Sequence, residues 1–335
     1  VFRLLKWWLT AALVLAVALG TLVAVWLHRP LAWRSGDAPV LDVTVPAGAS
    51  ARAVAQAVAQ AGVDTPVWAL HAWFRLSGRA RDIKAGSYEI TPELGPRALL
   101  DKLVRGEQAV RRVTLVEGWN LRQVLQALRS AEHLQDDLPP GTSPHALAQA
   151  LGLAARHPEG RFFPDTYVYP KHATASSVLR QAARAMDQRL AEVWAERAPN
   201  LPLRGPDDAL VLASIVEKET GLASDREQIA GVFINRLRIG MRLQTDPSVI
   251  YGLGEGFDGR LRRRDLDTDT PYNTYTRAGL PPTPIAMPGT ASLRAAVRPA
   301  DTPAFYFVSR GDGSSQFSQT LDEHNAAVRR YILNR

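Results

Sequence analysis

The spacing of hydrophobic and polar positions changes several times along the chain. Residues 7–27 carry no charge and are rich in Ala, Val and Leu, a length that crosses a hydrocarbon core. Trp7, Trp8 and Trp26 stand at its two ends, where indoles favour the interface. Arg3 and Lys6 precede the span, and His28, Arg29 and Arg34 follow it. The span is longer than the apolar core of a signal peptide and has no small-residue cleavage site after it, so it predicts a retained anchor. With the short basic N-terminus inside, the rest of the chain lies outside the cytoplasm. After a linker at 29–39, residues 41–45 alternate like a strand, and Pro46 and Gly48 turn the chain. Ser50 caps a helix with Val54, Val58 and Ala61 on one face, ended by Gly62. A second helix at 66–76 carries Trp68, Leu70, Trp73 and Phe74, and 84–90 returns as a strand. A helix at 97–105 follows and ends at Gly106.

Strand, helix, helix and strand within about 50 residues resemble a LysM module, the small fold that binds glycans containing N-acetylglucosamine. A plain α+β support unit has the same pattern. The chain then partly repeats itself: residues 43–57 and 113–127 are identical at seven of fifteen positions with a constant offset of 70. Each copy reads as a strand, a turn glycine and a capped helix, which suggests a duplicated building block. Residues 139–144 are loop. The segment EGRFFPDTY at 159–167 joins aromatic, acidic and hydroxyl groups, as the wall of a sugar cleft or as an aromatic turn filling the core. A long amphipathic helix at 174–197 follows. Ser224 to Glu227 reads as a capping box for a helix with Ile229, Val232, Phe233 and Leu237 inward, stopped at Gly240. Residues 252–259 and 271–282 are loops, 304–309 a strand and 321–333 a final helix.

Composition narrows the chemistry. The chain has 335 residues, 46% hydrophobic, with a net charge of +7, so a core is available and global disorder is excluded. Arginine supplies 35 of the 40 basic residues, scattered rather than in blocks, and no motif supports nucleic-acid binding. There is no cysteine, which removes thiol nucleophiles, disulfides and thiolate-bound zinc. The seven histidines show no metal-ligand spacing, and no Walker loop, dinucleotide fingerprint or nucleophile elbow occurs. Neither metal nor cofactor is expected. Carboxylate acid–base chemistry is what is left.

The stretch VLASIVEKET at 211–220 is where that chemistry concentrates. Pro206, Asp207 and Asp208 open a helix and Gly221 offers a stop. The helix is too apolar to lie open on a surface. Glu217 and Glu219 point about 200° apart on it, so they cannot act as a pair on one face. Either could be a carboxyl held protonated by apolar surroundings, or both could be a solvated helix end beside Lys218.

Three sets of motifs, in order, resemble the endolytic murein transglycosylases, the YceG-like family: EGRFFPDTY (159–167); LASIVEKET (212–220) with VFINRL (232–237); and LQTDP (243–247) with YNTY (272–275) and GLPP (279–282). The resemblance extends from about residue 40 to the end. It implies an α+β protein made of an N-terminal transmembrane helix (1–28), a linker (29–39), a small LysM-like βααβ subdomain (40–108) and a mixed α+β catalytic domain (109–335). It implies cleavage of the MurNAc–GlcNAc β-1,4 bond within nascent peptidoglycan strands, leaving 1,6-anhydro-MurNAc ends and terminating elongation. The catalytic glutamate of the family falls on Glu217. Subsite hydrogen bonding or stacking is expected of Gln244, Thr245, Asp246, Tyr272, Asn273 and Tyr275, with Glu219 orienting or supporting the helix end. Expected partners are peptidoglycan strands and their synthases, the penicillin-binding proteins. The expected location is the bacterial inner membrane in a single pass, N-terminus cytoplasmic and catalytic domain periplasmic. Two rivals are a muramidase using Glu217 with Asp246, and a non-catalytic LysM-type tether.

Overall fold

The computed structural model describes residues 2–34, 39–138, 141–153 and 157–333. The chain forms two compact units, one running through Arg111 with Tyr169–His172, the other comprising Arg112–Val168 and everything from Ala173 onward.

In the first unit, α1 (Phe2–His28) contains a 24-residue stretch, Leu5–His28, long and apolar enough to cross a membrane. At 1.5 Å per residue it spans about 36 Å, more than a hydrocarbon core needs. β1 (Leu41–Val45) is followed by α2 (Ala51–Gln60) and α3 (Val67–Leu76), then β2 (Gly86–Ile90) and α4 (Pro96–Arg105). β1 and β2 pair antiparallel, Leu41 opposite Ile90 and Val45 opposite Gly86. The strand–helix–helix–strand order matches the sequence pattern. Ser50 accepts the Ala53 N–H at the start of α2, and Gly106 closes α4 in the left-handed conformation, which costs glycine nothing. Val43, Val45, Val54, Val58, Leu70, Phe74, Tyr88 and Ile90 make the core, and Trp26 packs against it from α1. Of the two indoles on α3, Trp73 donates to the carbonyl of Pro96, while Trp68 is 74% exposed.

β3 (Val110–Thr114) pairs with the later β4 (Thr166–Pro170). Between them lie α5 (Leu121–Arg129) and α6 (Pro144–Leu151). The duplicated block is visible in local structure. Gly118 turns with φ +77° as Gly48 does with +73°, and Asn120 caps α5 in a reciprocal box with Gln123. The segment 159–167 is the core-filling turn rather than a sugar wall, because Phe162, Phe163 and Tyr167 are all buried and the Tyr167 hydroxyl donates to the carbonyl of Phe163.

The second unit is built around one helix. After α7 (Ala175–Ala195), α8 (Pro206–Glu219) buries every residue from Ala209 to Val216. A helix apolar on all sides must be surrounded, and α7, α9 (Ala223–Arg238) and the later α12 (Thr290–Val297) do so. α10 (Asp246–Leu253) and α11 (Arg263–Asp267) come between α9 and α12. β5 (Tyr306–Ser309) and β6 (Ser315–Ser318) then form an antiparallel hairpin. α13 (Leu321–Val328) ends the chain and passes into a π turn at Arg329–Leu333. Leu210, Leu212, Ile215, Val216, Ile229, Phe233 and Leu293 share the central core.

The capping box expected at Ser224 does not form. α9 starts two residues earlier than such a box requires, with Leu222 at its N-cap, and Ser224 donates to Asp225 instead. The buried carboxylate of Asp225 also accepts the Ser315 N–H at 2.6 Å.

Candidate active site

The last turn of α8 sends three consecutive side chains in three directions, and each meets a different environment within the second unit. Glu217 is half-buried, and its Oε2 accepts the N–H of Gly289 at 2.9 Å, at the start of α12. Lys218 donates to the carbonyl of Gly118 at 3.3 Å and borders a cavity of about 670 Å³. That cavity is also lined by Arg122, Glu159, Tyr251, Phe257 and Tyr272. Glu219 accepts the hydroxyl of Thr245 and faces a separate pocket of about 430 Å³ with Arg236, Gln244, Asp246, Tyr275 and His324. The 3.6-residue period of the helix therefore separates the two carboxylates, as their spacing requires.

Two enclosed carboxyls are shifted by their surroundings. Burial pushes Glu219 up to about 7, with nearby Asp246 adding to the rise and the Thr245 bond and Arg236 opposing it. Glu159, only 2% exposed, is likewise pushed up to about 7 by burial, against hydrogen bonds that favour its anion. It accepts the Leu121 N–H and the Tyr251 hydroxyl, both at 2.9 Å. Burial also raises the Tyr251 phenol, and its ring meets Tyr272 edge to face at 4.9 Å.

The other expected site residues divide between scaffold and surface. Thr245 is buried, bound through its N–H to Thr274 as well as to Glu219. Asn273 is also buried. Its amide donates to the carbonyls of Leu266 and Thr268 and its oxygen accepts the Tyr275 N–H, so the side chain braces its own loop. Tyr272 is half-buried, with its hydroxyl 2.9 Å from that of Thr283. Tyr275 donates to Asp246 at 2.5 Å, and burial followed by that carboxylate raises its phenol. Gln244 has an exposed side chain and sits at φ +49°. Asp246 groups with Glu219 and Tyr275.

The carboxylate beside Glu217 is Glu117, which the sequence reading passed over. A Cβ at Gly289 would collide with Oε1 of Glu117, so that carboxyl lies on the glycine whose N–H binds Glu217. Loss of water, then the charge of Glu217, pushes Glu117 above the usual carboxylate range, with Arg226 opposing. A signal existed: within the repeat, Glu117 stands where the first copy has Ala47. Among the described residues no three His, Asp or Glu side chains converge as metal ligands.

Comparison with known proteins adds to this geometry. Residues 43–330 match the model of the YceG-like family. An endolytic murein transglycosylase of Bacillus subtilis is 30% identical over 311 residues, 88% of this chain and 86% of that protein. A protein of the same name from Streptococcus pneumoniae is 27% identical over 290 residues, 75% of this chain and 51% of its own length. The crystal structure of a YceG-like protein from Listeria monocytogenes superposes with a TM-score of 0.54 at 28% identity, covering 86% of this chain and 99% of that one.

Proposed function

Because the chain belongs to the YceG-like family, we propose that it is an endolytic lytic transglycosylase that cuts peptidoglycan strands at the MurNAc–GlcNAc β-1,4 bond and leaves 1,6-anhydro-MurNAc ends. The observation that carries the assignment to Glu217 is its setting. It is half-buried at the end of a rigid, enclosed helix, and one carboxyl oxygen is anchored by the Gly289 N–H. The other oxygen is left to exchange a proton with a substrate. Glu219 is bound to Thr245 and directed elsewhere.

Protonated Glu217 donates to the glycosidic oxygen as the C1–O bond breaks and positive charge develops at C1. The resulting carboxylate then takes the proton of the C6 hydroxyl, and that oxygen closes on C1. No water is consumed, and the proton Glu217 gave up is returned to it. Glu219 acts as support for the helix end, and Asp246, Tyr275, Gln244 and Tyr272 as candidates for holding sugar rings. The βααβ unit is read as a LysM-like glycan holder, with exposed Trp68 as a flat face on which a sugar can stack. The apolar span of α1 is read as a single-pass inner-membrane anchor, N-terminus cytoplasmic and the second unit periplasmic. Peptidoglycan synthases are the proposed neighbours, since they make the substrate.

The test is digestion of purified glycan strands by the full chain in detergent micelles, with Glu217→Gln as control and mass spectrometry of the products. Ends one water lighter than reducing ends, lost in the variant by a factor of about a thousand, support the proposal. Reducing ends would mean hydrolysis. Glycan binding without cleavage would favour a tether.

A further inference from the structure

The reading of Glu217 leaves two features at its side unused: the Glu117 carboxyl and a glycine that cannot be anything larger without moving it. Both belong to one arrangement. Glu217 hangs on the N–H of Gly289, and Glu117 lies against the Cα side of the same residue. The turn that carries Glu117 is tied down just after it, because the Gly118 N–H donates to the carbonyl of Met287 at 2.9 Å and the Met287 N–H to that of Trp119 at 2.7 Å. A Cβ at Gly118 would in turn lie 3.9 Å from Cγ of Glu217. Two chain segments far apart in sequence are thus stitched together so that a second carboxyl stands next to the first. Gly289 has φ −79°, ordinary for any residue, so its smallness serves the approach of Glu117 and not the backbone.

We propose that Glu117 is a positioning residue for Glu217: the two carboxyls, held on either side of Gly289, share one proton, and Glu117 supplies the negative charge that keeps it there. This rests on the reading of Glu217 as the acid–base group. Like charges held close cannot both ionise freely, and the protons leave in steps that belong to the pair. Glu117 is raised first by burial and then by the charge of Glu217, and the second contribution agrees with such coupling. The other charged groups facing the pair are Arg226 from α9, which partly offsets it, and Lys218 from α8, whose ammonium is turned to the Gly118 carbonyl. The same charge serves both halves of the reaction. Before cleavage it holds a proton available for the leaving oxygen. Afterwards it sits beside the carboxylate formed on Glu217 and strengthens the pull on the C6 hydroxyl proton, while C6–O bonds to C1. Glu117 itself touches no reacting atom.

The experiment is the pH dependence of kcat/KM on purified glycan strands for the full chain in micelles, comparing wild type, Glu117→Gln and Gly289→Ala. Glu117 is exposed and glutamine matches its shape, and unfolding temperature checks that each variant is folded. The alkaline limb of the profile should move down by about one pH unit in Glu117→Gln, with activity retained at lower pH. Gly289→Ala keeps the charge but drives it aside, and should move the limb in the same direction. An unchanged limb in a folded Glu117→Gln overturns the proposal. So does activity lost at every pH with the fold intact, which would make Glu117 a reacting group. Failure of the underlying reading is separate: there Glu217→Gln still cuts, or the wild type makes no anhydro ends.

Discussion

A carboxyl whose burial outweighs its hydrogen bonds should make the protein less stable as pH rises, and Glu159 is the place to see it. The residue is 2% exposed, and burial raises its carboxyl from 4.5 to about 7. The folded state therefore binds the proton more tightly than the unfolded chain. Stability is fully present below about 4.5, falls as pH climbs from there through about 7, and is level above. A rise of that size corresponds to about 3 kcal/mol. Glu159→Gln removes the titration without removing the shape. The amide oxygen can accept the Leu121 N–H that now goes to Oε1. The amide nitrogen then donates to the Tyr251 oxygen, and the Tyr251 hydroxyl proton turns to Thr283, already within its reach. Urea unfolding at pH 5 and pH 8, on wild type and variant, isolates the effect as a difference of differences. The wild type should lose about 2.5 kcal/mol more than the variant between the two values. At pH 8 the variant should be the more stable protein. Equal losses in both would refute the reasoning, since they would mean that Glu159 stays ionised, with its hydrogen-bond donors outweighing burial.

Two further substitutions test the packing and the second carboxylate. Thr245→Val deletes the hydroxyl that Glu219 accepts; because that bond favours the anion, urea unfolding should show a loss of about 1–2 kcal/mol at pH 8 and a smaller one at pH 5. Gly231→Ala would place a Cβ 2.6 Å from the carbonyl oxygen of Ala300 and 2.7 Å from Cγ2 of Thr302. α9 would have to back away from that strap, and thermal unfolding should show a loss of about 1–3 kcal/mol.

What could be read in the sequence divides along the range of the forces involved. α8 was legible because its signals are local: Pro206 and the aspartates at one end, an unbroken apolar run, and Gly221 beyond the other. The first unit was legible for the same reason, through alternation at 41–45 and caps at Ser50 and Gly106. β6 was not, because Ser315–Ser318 carries no apolar run and its pairing with β5 makes it a strand. The capping box at Ser224 is also missing: the hydroxyl of Ser224 goes to Asp225, which is held by Ser315 from far along the chain. The site repeats this division. Glu217 was found by its motif, and its opposition to Glu219 by the helical period. Asn273, dense with hydrogen-bonding capacity on paper, uses that capacity on its own loop.

Glu117 shows where local reasoning ends. It lies a hundred residues before Glu217, in a turn whose glycine and cap carry local signals while its carboxylate carries none. The duplicated block makes the difference intelligible. Both copies need a glycine with positive φ to leave the strand and a polar cap to start the helix, so those positions are alike in the two. The residue before the glycine has no such duty. It is free to vary, and it is alanine in one copy and glutamate in the other. Where two copies of one scaffold agree, backbone geometry is sufficient to account for the residue. Where they differ at a position that geometry leaves open, the cause must come from outside the block, and in the second copy the neighbour outside is the Gly289 turn that holds Glu217.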